Sequence, residues 1–134
     1  WNAYADSPWS CGYWHNINLQ MNYWSVGPAN LSELFIPYIN YANAYMPLAK
    51  RHADELIRRS YPEKLSSAGE NGWIIGTGAW MYQVEGMGKY THSGPGTGGM
   101  TSKMFWDYYD FTRDKEFLEN YQIRQILSEN IKRV

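Results

Sequence analysis

The sequence predicts an all-α protein built from helical hairpins. Three observations carry that expectation. Apolar residues recur with the 3.6-residue helical period in separate stretches. Helix start and stop residues flank those stretches. No convincing run of strand-like alternation lies between them.

Residues 1–30 read as irregular and aromatic, punctuated by Ser7-Pro8, Gly12 and Gly27-Pro28, all loop signals. Asn30 is suited to cap the helix that follows, with Glu33 three residues on as a capping box requires. Leu31, Leu34, Phe35, Tyr38, Ile39, Ala42, Tyr45 and Met46 then make one broad apolar face. Pro37 lies inside this run and is expected to kink or restart the helix. A second helix is expected from Pro47, a residue suited to a first turn. Its stripe is Leu48, Ala49, His52, Ala53, Leu56 and Ile57, and Arg58 and Arg59 sit near its C-terminal end, where cations are favourable. His52, at the edge of the stripe, reads as a packed or surface histidine. Residues 61–98 dissolve into Gly, Ser, Thr and scattered aromatics. A loop this long is either functional or lacks partner structure. A third helix reads from about Gly99 to Phe111, with Met100, Met104, Tyr108 and Phe111 on one face. Thr112 or Asp114 caps a fourth, carrying Phe117, Leu118, Tyr121, Ile123, Leu127 and Ile131. The expected organisation is a loop segment over 1–30, a helical hairpin over 31–60, a loop over 61–98 and a second hairpin over 99–134.

Length and composition narrow the function classes. A chain of 134 residues allows one domain at most. Lys plus Arg total 12 against 13 Asp plus Glu, for a net charge of −1. That balance excludes a broad basic surface for nucleic acid and gives no electrostatic case for an anionic membrane. No apolar run approaches the roughly 18 residues of a membrane span. A single cysteine, Cys11, cannot close an internal disulfide. The chain opens on Trp1, without an initiator Met or a signal peptide, and closes in a helix-like stretch. It is expected to be an excerpt of a larger domain, because four helices with wide apolar faces leave much surface unburied.

Aromatic residues make up 17% of the chain, with seven Trp and twelve Tyr against four Phe. Trp and Tyr pair a flat apolar face with a hydrogen-bonding edge. A sugar ring presents the complementary surfaces, a C–H face and a rim of hydroxyls. Packing between helices is the alternative use of the same rings.

The stretch most able to do chemistry is His15-Asn16-Ile17-Asn18-Leu19-Gln20-Met21-Asn22-Tyr23-Trp24. An extended backbone would throw the four amides at 16, 18, 20 and 22 to one side. A helical one would put Asn18 and Asn22 on one face and turn Asn16 away. Neighbouring amides can hold a water or a sugar hydroxyl through donor and acceptor together. Satisfying loop backbone is the alternative.

Trp1-Asn2, Ser7-Pro8-Trp9, Tyr13, the Asn16–Trp24 run and Asn30-Leu31-Ser32-Glu33-Leu34 together resemble the catalytic domain of glycoside hydrolase family 95, the α-L-fucosidase family, which includes some α-L-galactosidases. A second block, Gly98-Gly99 through Trp106 and Tyr109 to Phe111-Thr112 and Asp114–Leu118, resembles the helix pair that follows in that family. The resemblance covers about residues 1–35 and 98–120 and is specific in the first block. It implies a portion of an (α/α)6 toroid, so the unburied helix faces would meet the remainder of the same catalytic domain. It implies hydrolysis with inversion, in which an acid protonates the leaving oxygen and water attacks from the opposite face. In the family a Glu is the acid, two asparagines hold the water, and a distant Asp polarises the arrangement. Asn16 and Asn18 match those two asparagines and are expected to point together into a shared cavity wall. Trp9, Trp14, His15 and Trp80 are the candidates to line the sugar pocket, with packing as their alternative.

The remaining machinery has no match here. The family's acid lies in a later Ser-Pro-Glu segment, whereas Ser7-Pro8 is followed by Trp9. Glu70 and Glu85 read as solvated loop carboxylates. Gly72-Trp73-Ile74-Ile75-Gly76-Thr77-Gly78-Ala79-Trp80 is shorter than the family's segment and lacks its His and Asp, which puts the preference for fucose in doubt. Gly94–Gly99 satisfies G-x-G-x-x-G, but no preceding strand is predicted, and Met100 stands where a P-loop needs Lys. His15, His52, His92 and Cys11 lack metal-ligand spacing. No cofactor, metal or nucleic-acid partner is expected. The implied partner is an oligosaccharide or glycan. The implied reaction removes a terminal α-L-fucosyl or α-L-galactosyl residue. The alternative is a carbohydrate-binding or scaffold protein on the same toroid. The resemblance implies an extracytoplasmic setting, which no residue of the chain specifies.

Overall fold

The structure is a computed structural model, and it describes residues 8–80, 83–87 and 96–120. Side chains at 10, 80, 83–87 and 120 lie outside the description, as do the fourth-helix positions Tyr121, Ile123, Leu127 and Ile131. The described chain is predominantly helical, with one small sheet.

After a 3-10 turn over Pro8–Cys11 come strand β1 (Tyr13–Trp14) and the one-turn helix α1 (Asn18–Met21). A second 3-10 turn, Ser32–Phe35, leads into α2 (Ile36–Ser60). Strands β2 (Gly78–Trp80) and β3 (Gln83–Met87) follow a long connection, and α3 (Gly96–Thr112) and α4 (Lys115–Asn120) complete the described chain.

The hairpin expected over 31–60 is a single 25-residue helix, α2. Pro37 falls in its first turn, where a missing N–H costs nothing. Pro47 lies inside it without ending it. Both Pro47 and Asn43, whose carbonyl loses its helical donor, are exposed, so water can serve that carbonyl. Burial supplies the rest of the reason. Tyr38, Ile39, Ala42 and Tyr45 before the proline, and Ala49 and Ala53 after it, all stay buried along one continuous face.

That face serves two cores. The first half packs Phe35, Tyr38, Ile39 and Ala42 against Val26, Met104, Phe105 and Phe117. The second half packs Tyr45 and Ala49 against Trp73, Ile75 and Ala79. Ala49 is fully buried, and its short side chain lets the Ile74 N–H reach the Ala49 carbonyl at 2.9 Å.

Asn30 does not cap. It adopts a left-handed φ of 56°, which Asn tolerates, and its N–H bonds the Gly27 carbonyl in a tight turn. At the fourth helix, Asp114 is the cap: its Oδ1 accepts the Phe117 N–H at 2.9 Å, while the Thr112 hydroxyl accepts the Asp114 N–H at 3.2 Å. The third helix begins three residues earlier than expected. Gly96–Gly99 forms its first turn, with Thr97 and Gly98 buried. Its most buried side also includes Thr101, Ser102 and Phe105, whereas Phe111 on the expected face is 56% exposed.

The expected loop over 61–98 contains structure of two kinds. Its first part is tied to α2 by a buried knot. Asp54 accepts the Gly69 N–H at 2.9 Å and the Asn71 side-chain amide at 2.7 Å, and Asn71 Oδ1 accepts the Ser66 N–H at 2.7 Å. Its second part forms the sheet, ordered β1-β2-β3 and antiparallel throughout. Tyr13 pairs with Ala79 and Trp14 with Gly78. A Cβ at Gly78 would stand 3.1 Å from the Tyr13 carbonyl, so glycine permits this close pairing. Strands this short carry too little alternation to be read from sequence.

Candidate functional site

The amide-bearing segment starts at a rigid point. The His15 N–H donates to the Thr77 carbonyl at 2.7 Å, continuing the β1–β2 pairing by one residue. Its ring is buried, with Nδ1 2.9 Å from the Gly76 carbonyl and Nε2 2.6 Å from the Tyr41 hydroxyl. A carbonyl only accepts, so Nδ1 carries the proton and Nε2 accepts from Tyr41. The His15 carbonyl in turn accepts the Gln20 side-chain amide at 2.7 Å.

Burial disfavours the imidazolium, and although the Gly76 carbonyl opposes this, the His15 pKa falls from 6.5 to about 4. The rings against it, Tyr41 and Tyr45, come from α2, and burial pushes the pKa of both upward, so they stay neutral as the imidazole titrates. The unfolded chain therefore binds the proton more tightly, and stability falls as pH drops from 6.5 towards 4. The loss amounts to about 3 kcal/mol. An imidazole titration by 13C NMR is expected to show a midpoint near 4. A midpoint above 6 would mean a solvated ring.

Ile17 breaks the expected alternation. Its φ of 109° is strained for a β-branched residue and turns the chain from β1 into α1. The four amides consequently go separate ways. Gln20 is fully buried beneath His15. Asn22 donates from its side chain to the Asn18 carbonyl at 3.2 Å, one helical turn back. Asn16 and Asn18 are exposed, and no described residue bonds either side-chain amide.

A cavity of about 220 Å³ opens beside α1, lined by Gly12, Tyr13, Trp14, Asn18, Leu19, Asn22 and Tyr23. Asn18 thus shares a wall with Asn22. Asn16, exposed two residues earlier, is not among the residues that line it.

Trp14 lines the cavity, donates its indole N–H to the Trp9 carbonyl at 2.9 Å, and meets the Trp9 ring edge-on at 5.9 Å. Trp9 is 72% exposed. His15, named among the candidates for sugar contact with packing as the alternative, has both ring nitrogens engaged and is buried inside the fold. Trp80 pairs through its backbone with Gln83 at the end of β2, and its side chain lies outside the described residues. Glu70 is exposed.

Tyr13, Tyr23 and Tyr41 were not expected at the site. For Tyr41 the available signal was the spacing of Tyr38, Tyr41 and Tyr45, which lies on neighbouring helix faces. A larger cavity of about 380 Å³ lies between α3 and residues 23–35. Its walls include Trp24, Phe35, Met100, Met104 and Phe111, with no amide side chain, and its character is that of an unfilled apolar seam. Among the described residues, no three His, Cys, Asp or Glu side chains gather as metal ligands, and no helix is long and apolar enough to cross a membrane.

The exposed Asn18 amide, bonded by no described residue, beside a cavity lined by Tyr13, Trp14 and Tyr23 forms a surface suited to a polar ring compound. The chain belongs to glycosyl hydrolase family 95, whose catalytic domain matches residues 1–131. It is 29% identical over 122 residues to alpha-L-fucosidase 2 of Arabidopsis thaliana, covering 89% of this chain and 13% of that protein. It is 31% identical over 122 residues to probable alpha-fucosidase A of Aspergillus niger, covering 85% of this chain and 14% of that protein. The chain therefore spans about one-seventh of the length of these curated relatives. Its mostly helical architecture is that of an all-α portion of the family's toroid.

Proposed function

We propose that this chain is a segment of a longer catalytic domain that hydrolyses a terminal α-L-fucosyl or α-L-galactosyl residue with inversion, and that Asn16 and Asn18 hold the attacking water. The observation that carries this reading is the division of labour among the amides. Gln20 and Asn22 are spent on backbone carbonyls, whereas Asn16 and Asn18 stay exposed and unbonded by described residues. These two are also the residues that match the family's water-holding pair.

An amide can orient and polarise water but cannot store its proton. A carboxylate must receive that proton, and a carboxylic acid must protonate the leaving oxygen as the C1–O bond breaks. Neither group is matched in this chain, so both come from the remainder of the domain, and the 134-residue chain alone is expected to be inactive. Trp14 would offer its face to the sugar ring at the cavity. Trp9 and Trp80 would widen that aromatic wall. The remainder of the domain would also cover the exposed apolar residues around the site, among them Ile17, Met21, Trp24, Leu31 and Leu34.

The test is hydrolysis of aryl α-L-fucoside and aryl α-L-galactoside by the intact domain, with the first-formed anomer read by 1H NMR. Release of the β-anomer is expected. Tight glycan binding with no turnover of either substrate would favour a carbohydrate-binding protein instead.

A further inference from the structure

We propose that His15 and Tyr41 are a positioning pair, locking the turn that carries Asn16 and Asn18 onto residues 76–77. The proposal rests on the reading of those asparagines as water holders.

The geometry is a four-way clamp on the residue preceding Asn16. The His15 backbone N–H bonds the Thr77 carbonyl, and its carbonyl takes the Gln20 amide. Its Nδ1 bonds the Gly76 carbonyl, and its Nε2 takes the Tyr41 proton. These partners come from three separate places: α1, the second turn of α2, and the segment leading into β2. The clamp is buried, whereas the two asparagines just beyond it are exposed. A clamp is needed here because Ile17, between the asparagines, holds a φ of 109°, which persists only where surrounding contacts over-determine it. Tyr41 is itself fixed edge-on against the Tyr13 ring at 5.0 Å. Burial keeps His15 neutral, and neutrality is what Nε2 needs in order to accept. The clamp also ties the amides to residues 72–80, the segment that departs most from the family pattern.

Tyr41→Phe in the intact domain removes one hydroxyl and keeps the ring against Tyr13 and Tyr45, so folding is retained. Turnover is expected to fall at least tenfold with KM within about threefold, because misplaced amides weaken the transition state more than sugar binding. Hydrogen exchange of peptides spanning residues 12–22 is expected to quicken about tenfold, from loss of the bond that anchors the turn. His15→Gln, whose side-chain oxygen can replace Nε2 as acceptor, is expected to retain more turnover than His15→Asn, whose shorter amide can replace only Nδ1. Wild-type kcat and exchange in Tyr41→Phe, alongside a dead Asn18→Ala, would overturn the positioning pair and leave the water-holding reading intact. Full activity in Asn18→Ala would overturn the water-holding reading; exchange in Tyr41→Phe would then decide alone whether the clamp fixes the turn.

Discussion

Asn18→Ala in the intact domain is expected to lower kcat by at least about 100-fold, the scale on which single preorganised hydrogen-bonding groups act in hydrolases. On the proposed mechanism the water would sit on one face of the sugar while a proton leaves it, and the Asn18 amide would fix both its place and its polarity. Methyl replaces that amide with nothing. Little stability should be lost, because the Asn18 side chain is exposed and bonded by no described residue. Alanine also favours the helix that Asn18 opens. The informative comparison is therefore kcat against the midpoint of thermal unfolding, measured on one preparation. Unchanged turnover would remove Asn18 from the chemistry; a parallel collapse of both would make its role structural.

Phe35→Ala carries the largest expected loss of stability, about 3–5 kcal/mol. Phe35 is 4% exposed at the junction of the 3-10 turn and α2. Its ring stacks on Tyr108 at 5.4 Å and 18°, meets Tyr23 and Phe105 edge-on, and contacts Tyr38 at 5.1 Å. One truncation therefore empties a space shared by the segment after α1, by α2 and by α3. The cavity beside it, lined in part by Phe35, Met104 and Tyr108, would enlarge rather than refill. Urea denaturation followed by tryptophan fluorescence measures the change. A loss below about 1 kcal/mol would mean the neighbours collapse into the gap, contrary to the close packing of protein interiors.

Helices were legible because their signals repeat within a few residues. The apolar period marked α2, and Asp114 stood where a cap belongs, three residues before the N–H it accepts. Pro47 misled for the same reason: its local cost is real, but the burial of Tyr45, Ala49 and Ala53 outweighs it. The amides at 16, 18, 20 and 22 left an extended and a helical reading open. The helical reading holds from Asn18 onward, where α1 follows the turn at Ile17 and Asn18 and Asn22 both line the cavity. The matched pair of asparagines was visible by residue type; their geometry was not.

Sequence alone determined the family and the helical class, because periodicity, capping and motif spacing are properties of near neighbours in the chain. The folded chain settled how His15 is bonded, why Pro47 does not break α2, and which amides no described residue bonds. The His15 contacts span 26 residues to Tyr41 and 61 to Gly76. Partnerships of that range form only after loop closure and burial bring distant segments together, and no local pattern encodes them.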